Sequence, residues 1–63
     1  MRSPSYPPAL LRREDAAEYL AVSPRKLDEL QAKGVVIPVR LDGMKRFRRS
    51  DLDDIAAGLP DWD

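Results

Sequence analysis

Leu20-Ala21-Val22-Ser23-Pro24-Arg25-Lys26-Leu27 contains the signals that end one helix and begin the next. The Ser23 hydroxyl can accept a hydrogen bond from a free backbone N–H of the turn that follows it. Pro24 suits the first helical position, because no N–H is required there and its φ is already helical. We therefore expect a helix that begins at Pro24 and runs to Lys33. Gly34, which suits the left-handed position after a helix, should end it.

Apolar residues upstream predict a short helix that ends at the start of this stretch. Ala16, Ala17 and Leu20 fall at i, i+1 and i+4, and with Leu11 further back they form one apolar stripe. We expect this helix to cover Arg13 to Leu20. Two short helices that meet within about three residues form a helix-turn-helix, in which the first helix braces the second and the second is presented outward.

The second helix of this pair has an apolar side and a charged side. Leu27 and Leu30 are expected to point into the core. The opposite side contains Arg25, Asp28, Glu29 and Ala32, with Lys26 and Lys33 at the flanks. This charged side is the surface that a partner would meet.

The dipeptide Asp42-Gly43 predicts a β-hairpin over residues 39–48. Two registers are open. A two-residue loop would put Phe47 on the face opposite Val39, whereas a type I turn with the glycine as a bulge would bring Phe47 to the face of Ile37 and Val39.

We predict the bulged register, which pairs Val39 with Lys45, because it buries the one phenylalanine of the chain. The apolar run Val35–Pro38 is then a strand lead-in packed on the helices. Arg46 and Arg48 face outward together.

A third helix is expected to begin at Ser50, which is a good N-cap. Carboxylates in a first turn stabilise the helix dipole by roughly 0.3–1 kcal/mol each, so we assign the aspartates here to capping. The predicted first-turn acids are Asp51, Asp53 and Asp54, the buried side is Leu52, Ile55 and Leu59, and Gly58 with Pro60 ends the helix.

Composition excludes several classes of protein. The chain has 63 residues, and a domain of this size hides only about 60% of its unfolded surface, which argues against a deep substrate pocket. It contains no cysteine and no histidine, so disulfides, thiolate chemistry, the usual zinc sites and the common proton shuttle are excluded. We expect no catalytic residues, no cofactor and no metal site.

The composition also predicts where the protein acts and how the chain divides. No apolar run approaches the ~20 residues that span a bilayer, and the N-terminus lacks the apolar core of a signal peptide, so we expect a cytoplasmic protein without membrane contact.

Residues 10–59 form the expected domain. Residues 1–9, rich in proline, are expected to be a flexible arm, which either reaches along a groove with Arg2 or frays while Tyr6 rests on the domain. Residues 60–63 form an acidic tail, and we expect Trp62 to cover an edge of the core or, alternatively, to anchor a partner protein.

Charge is segregated along the chain although the formal net charge is zero. Residues 1–13 carry three positive charges and no negative ones, residues 40–49 carry five basic residues against one aspartate, and residues 50–63 carry five aspartates and no base. A neutral chain with this pattern can still present one basic face. The cations predicted to form it are Arg25, Lys26, Arg40, Lys45, Arg46, Arg48 and Arg49.

The order of these elements resembles the excisionase-like, MerR-type winged helix-turn-helix family of small phage and prophage DNA-binding proteins. The resemblance covers Leu10 to Leu59 and rests on residues 11–20, on Val22-Ser23-Pro24-Arg25, and on residues 46–52. It implies an α+β, mostly helical fold with two short helices, a β-hairpin wing and a third short helix.

The same resemblance implies binding to double-stranded DNA, in recombination or transcription, as a monomer or a cooperative assembly. The helix at 24–33 would lie in the major groove, with Arg25 and Lys26 as contacts. The hairpin at 39–48 would contact phosphates or the minor groove through Lys45, Arg46 and Arg48.

Two other functions stay open from the sequence. The scaffold could be a protein adaptor that docks an integrase or other recombinase, a terminase or RNA polymerase through Asp28, Glu29 and the acidic tail. A catalytic role has little support, because the serines have no visible base and the carboxylates are explained as caps.

Overall fold

The computed structural model describes residues 8–62, and these form three helices and a three-stranded antiparallel sheet. The predicted α+β class is confirmed. In chain order the elements are β1 (Leu10–Leu11), α1 (Arg13–Tyr19), α2 (Pro24–Ala32), β2 (Val39–Leu41), β3 (Met44–Arg48) and α3 (Arg49–Ala57). None of the helices in this part of the chain is long and apolar enough to cross a membrane.

The turn between α1 and α2 forms as its sequence predicts. The Ser23 side chain accepts a hydrogen bond from the backbone N–H of Lys26 at 3.1 Å, and α2 begins at Pro24. At the end of α1, the N–H groups of Ala21 and Val22 donate to carbonyls of that helix at 2.9 Å each. This is the Schellman arrangement, with Ala21 at the left-handed position, φ 60°.

The end of α2 has the same Schellman arrangement, with a glycine at the left-handed position. Gly34 has φ +79°, and the N–H of Val35 donates to the carbonyl of Leu30 at 2.9 Å. The predicted stop at Gly34 is confirmed, because glycine enters the left-handed region without a steric cost.

The sheet has the strand order β1-β3-β2, and its first strand is absent from the sequence prediction. Leu11 lies opposite Phe47 and Leu10 opposite Arg48. Leu11, expected in the apolar stripe of the first helix, therefore enters the core as a residue of strand β1. The backbone N–H of Arg49 also donates to the carbonyl of Ala9 at 2.9 Å, which ties the start of α3 to the start of the domain.

The predicted hairpin register is wrong. Leu41 pairs with Met44 and Val39 pairs with Arg46, which is the register of a two-residue loop. Asp42 and Gly43 both have positive φ, 50° and 78°, as a type I′ turn requires, and this turn matches the twist of the two strands without a bulge.

Phe47 is nevertheless buried, at 1% exposure. It lies on the face opposite Val39, and that face, not the Val39 face, contacts α1 and α3. The helices thus cover the face of the hairpin opposite Val39, whereas the predicted register requires them to cover the face that carries Val39.

The start of α3 differs from the prediction by two residues. Its N-cap is Arg48, with no side-chain capping bond, so Ser50 lies inside the first turn and does not cap the helix. Asp51 is the acidic residue of that turn, whereas Asp53 and Asp54 lie further along. Strand β3 runs directly into α3, so the helix begins two residues closer to the N-terminus than predicted.

The core lies between the three helices and the inner face of the sheet. Its buried members are Leu11, Ala16, Ala17, Leu27, Val36, Phe47 and Leu52, with Leu20, Val22, Leu30 and Ile55 packed against it. The lead-in at 35–38 forms no strand, and of its apolar residues only Val36 is buried.

Two apolar residues near the C-terminus were expected in the core and are not there. Leu59 is 65% exposed because α3 ends at Ala57, and Trp62 is 98% exposed. The expectation that Trp62 covers the core is therefore wrong. The expectations for Arg2 and Tyr6 lie outside the described residues.

Candidate functional site

The exposed side of α2 carries both signs of charge, and its aspartate is held by a cation from α1. The Arg13 guanidinium donates to both carboxylate oxygens of Asp28, from Nε at 2.9 Å and from Nη2 at 2.8 Å. This hydrogen bond lowers the pKa of Asp28, and the positive charge of Lys45 on the hairpin lowers it further. Both cations weaken the negative potential that Asp28 would otherwise place on this side.

The predicted contacts Arg25 and Lys26 lie in the first turn of α2, both exposed. The Lys26 ammonium forms an ion pair with Glu29 at 3.4 Å, one turn along the helix. Arg25 has no ion pair within residues 8–62. The N-terminal end of α2 therefore presents Arg25 as its unpaired cation.

Arg40 and Lys45 are cross-strand partners in the hairpin, so they lie on the same face of the sheet. It is also the face of Phe47, and the Lys45 Nζ lies 5.7 Å from the centroid of that ring. Both cations line one cleft together with Gln31 of α2, so this pair lies on the side of the hairpin that faces α2.

An open cleft of about 310 Å³ separates the end of α2 from the hairpin. Gln31 lines it from the helix, and Arg40, Lys45 and Met44 line it from the strands. Gln31 has an amide that can both donate and accept. The cleft thus joins the polar end of α2 to the two cations of the hairpin.

The seven predicted cations do not all share one face. Arg46 and Arg48 alternate with Phe47 along β3 and lie on the outer face of the sheet, as predicted for these two, whereas Arg40 and Lys45 lie on the inner face. Arg48 contacts Asp51 at 3.7 Å. The single basic face expected from the sequence is corrected to a hairpin with cations on both faces, because side chains alternate along a strand.

Arg49 does not belong to the hairpin. It is the first residue of α3, and its Nε lies 4.0 Å from a carboxylate oxygen of Asp53. Arg13, in contrast, was not predicted as part of the site. No local pattern marks it, because its partner Asp28 is 15 residues away.

No family model, curated protein or solved structure matches this chain. Within residues 8–62 no group of three or more His, Cys, Asp or Glu side chains is placed to hold a metal ion.

Proposed function

We propose that this chain is a non-catalytic protein that binds double-stranded DNA through a winged helix-turn-helix, as an excisionase-like protein or a transcriptional regulator. In this proposal α2 lies in the major groove, and the hairpin formed by β2 and β3 is the wing, which contacts phosphates or the adjacent minor groove.

The observation that carries this proposal is the pairing of charges around α2 and the hairpin. Arg25, Arg40, Lys45 and Arg46 have no ion pair within residues 8–62, whereas the carboxylate of Asp28, on the exposed side of α2, is paired with Arg13. Cations free of carboxylate partners are available to phosphates, and phosphate contacts supply most of the affinity for DNA.

Cations on both faces of the hairpin fit a wing. Phosphates line both sides of a DNA groove, so a hairpin that enters the groove edge-on meets them with each face. Arg40 and Lys45 would contact the phosphates of one DNA strand, and Arg46 would contact those of the other strand.

The test is binding of a short duplex at a series of salt concentrations. At about −0.9 in log affinity against log salt for each phosphate contact, four contacts give a slope of about −3.6. Replacing both Arg40 and Lys45 by alanine should reduce the slope to about −1.8. Arg12→Ala removes one exposed cation that lies outside α2 and the hairpin, and should leave the slope unchanged. No binding at low salt would reject the proposal.

A further inference from the structure

A second surface of different chemistry lies between the segment before β2 and α3. An open apolar groove of about 200 Å³ runs there, lined by Val36, which is buried, and by Ile55, which is half-buried. Val35 and Ile37, also in its lining, are 47% and 68% exposed. Adjacent exposed β-branched side chains around a groove are typical of a contact surface, whereas single exposed apolar residues are not.

Carboxylates complete the lining of this groove. Asp51 and Asp54 of α3 both contribute to it. Asp51 is in contact with Arg48 at 3.7 Å, whereas Asp54 is exposed and has no ion pair in the described part of the chain. Residues 50–63 contain five aspartates and no lysine or arginine, and although Asp51 and Asp53 are paired with Arg48 and Arg49, Asp54 leaves a negative charge at the groove.

More apolar surface follows at the end of α3. Leu59 is 65% exposed and Trp62 is 98% exposed. A negative potential repels phosphates, so this surface is unsuited to DNA. It shares no lining residue with the cleft between α2 and the hairpin.

We propose that this groove docks a basic amphipathic segment of a partner protein. One or two large apolar side chains would fill the groove, since a cavity of roughly 150 Å³ accepts a benzene ring. A lysine or arginine side chain beside them would meet the carboxylate of Asp54, which has no ion pair in the described part of the chain. Charge complementarity selects this occupant, because an acidic or neutral segment would gain only the apolar contact.

The test measures binding of three synthetic peptides to the full chain by NMR titration of its backbone amides. The first peptide is an amphipathic 16-residue helix of leucine and lysine, the second has glutamate in place of lysine, and the third has the residues of the first in an order that spreads the leucines around the helix. We expect the first to bind at least tenfold more tightly than the other two, with shifts at residues 35–37 and 51–55. Equal binding of the first and third, or shifts elsewhere, would overturn the proposal.

Two variants test the groove itself. Ile37→Ser and Asp54→Lys change exposed side chains, so the fold is retained. Each variant should lower the affinity for the first peptide at least fivefold. The affinity for duplex DNA should not fall. Unchanged peptide binding in both variants would overturn the proposal. Sedimentation of the chain alone provides a further outcome: self-association that Ile37→Ser abolishes would assign the groove to a second copy and not to a basic partner. Since the DNA assay is separate, failure of the docking proposal leaves the proposed function intact.

Discussion

Arg13 and Asp28 join the first residue of α1 to the middle of α2 through two parallel hydrogen bonds of 2.9 and 2.8 Å. This fork geometry fixes the orientation of both side chains better than a single contact does. It links the two helices of the turn motif and cancels a negative charge on the exposed side of α2. Both consequences can be measured.

Asp28→Asn is expected to lower the stability of the fold at neutral pH. The bond from Arg13 lowers the pKa of Asp28 below the ordinary 3.8, so the carboxylate contributes stability above that pH and loses its contribution as the pH falls through the lowered pKa. Urea unfolding of both proteins from pH 7 to pH 2 should therefore show a difference that shrinks below pH 3.8. Arg13→Gln should show the same decrease of the difference below pH 3.8, with a small additional loss because Arg13 also pairs with Glu14 at 3.3 Å, and adding Asp28→Asn to it should cause no further loss. A difference that stays constant to pH 2 would contradict this assignment.

Tyr19→Phe tests the contact between α1 and α3. The Tyr19 hydroxyl donates to Asp53 at 2.6 Å, and this bond raises the pKa of the phenol above its ordinary value of 10.0. Because the pKa of Tyr19 is higher in the folded state, its protonated hydroxyl stabilises the fold below pH 10.0. This stabilisation is lost as the pH rises through the pKa of Tyr19 in the folded state. The variant should be less stable at pH 8 and equal to the parent at strongly alkaline pH, as followed by circular dichroism in urea. An equal stability at pH 8 would show that the bond contributes nothing.

Ser23→Ala should destabilise the fold by about 1 kcal/mol, because it removes the capping bond to the N–H of Lys26. Ser50→Ala is the matched control. Ser50 lies within the first turn of α3 and caps nothing, so its replacement should change the free energy of unfolding by less than about 0.5 kcal/mol. Equal losses in the two variants would contradict the observed helix starts.

Ala21→Gly should stabilise the fold. Ala21 holds φ 60° at the end of α1, a conformation that costs a non-glycine residue roughly 1–2 kcal/mol, while glycine adds about 0.5–1 kcal/mol of chain entropy to the unfolded state. A net gain of up to about 1.5 kcal/mol is expected from thermal unfolding. The reverse change Gly43→Ala, at φ +78° in open space, should destabilise. A loss of stability in Ala21→Gly would show that the alanine side chain contributes packing that outweighs its strain.

Arg25→Ala follows from the proposed function. If Arg25 contacts a base edge, the variant should lose about 1–3 kcal/mol of DNA affinity and discriminate less between sequences. Arg46→Ala, which removes one of the four cations without an ion pair in residues 8–62, should instead weaken binding to all sequences alike and reduce the salt slope by about one. Competition binding with a randomised duplex pool distinguishes these outcomes, and an unchanged sequence preference in Arg25→Ala would reassign that residue to the phosphate backbone.

The two ends of α2 could be predicted because their causes are local. Ser23 and Pro24 act on the backbone of the next turn, and Gly34 on the carbonyls of the turn before it. The alternation that places Arg46 and Arg48 on one face is also local. Each of these features depends on residues within a few positions of one another, so no knowledge of the packing was needed.

The remaining features depend on residues far apart along the chain. β1 is two residues long and exists because Leu11 meets Phe47, 36 positions later. The hairpin register could not be chosen from the burial of Phe47, since which face is buried depends on where the helices pack. The contact of Arg13 with Asp28 arises in the same way. Local hydrogen bonding determined the turn between α1 and α2, both ends of α2 and the α+β class, whereas packing at long range decided the start of α3, the sheet, its covered face and the groups that surround each charge.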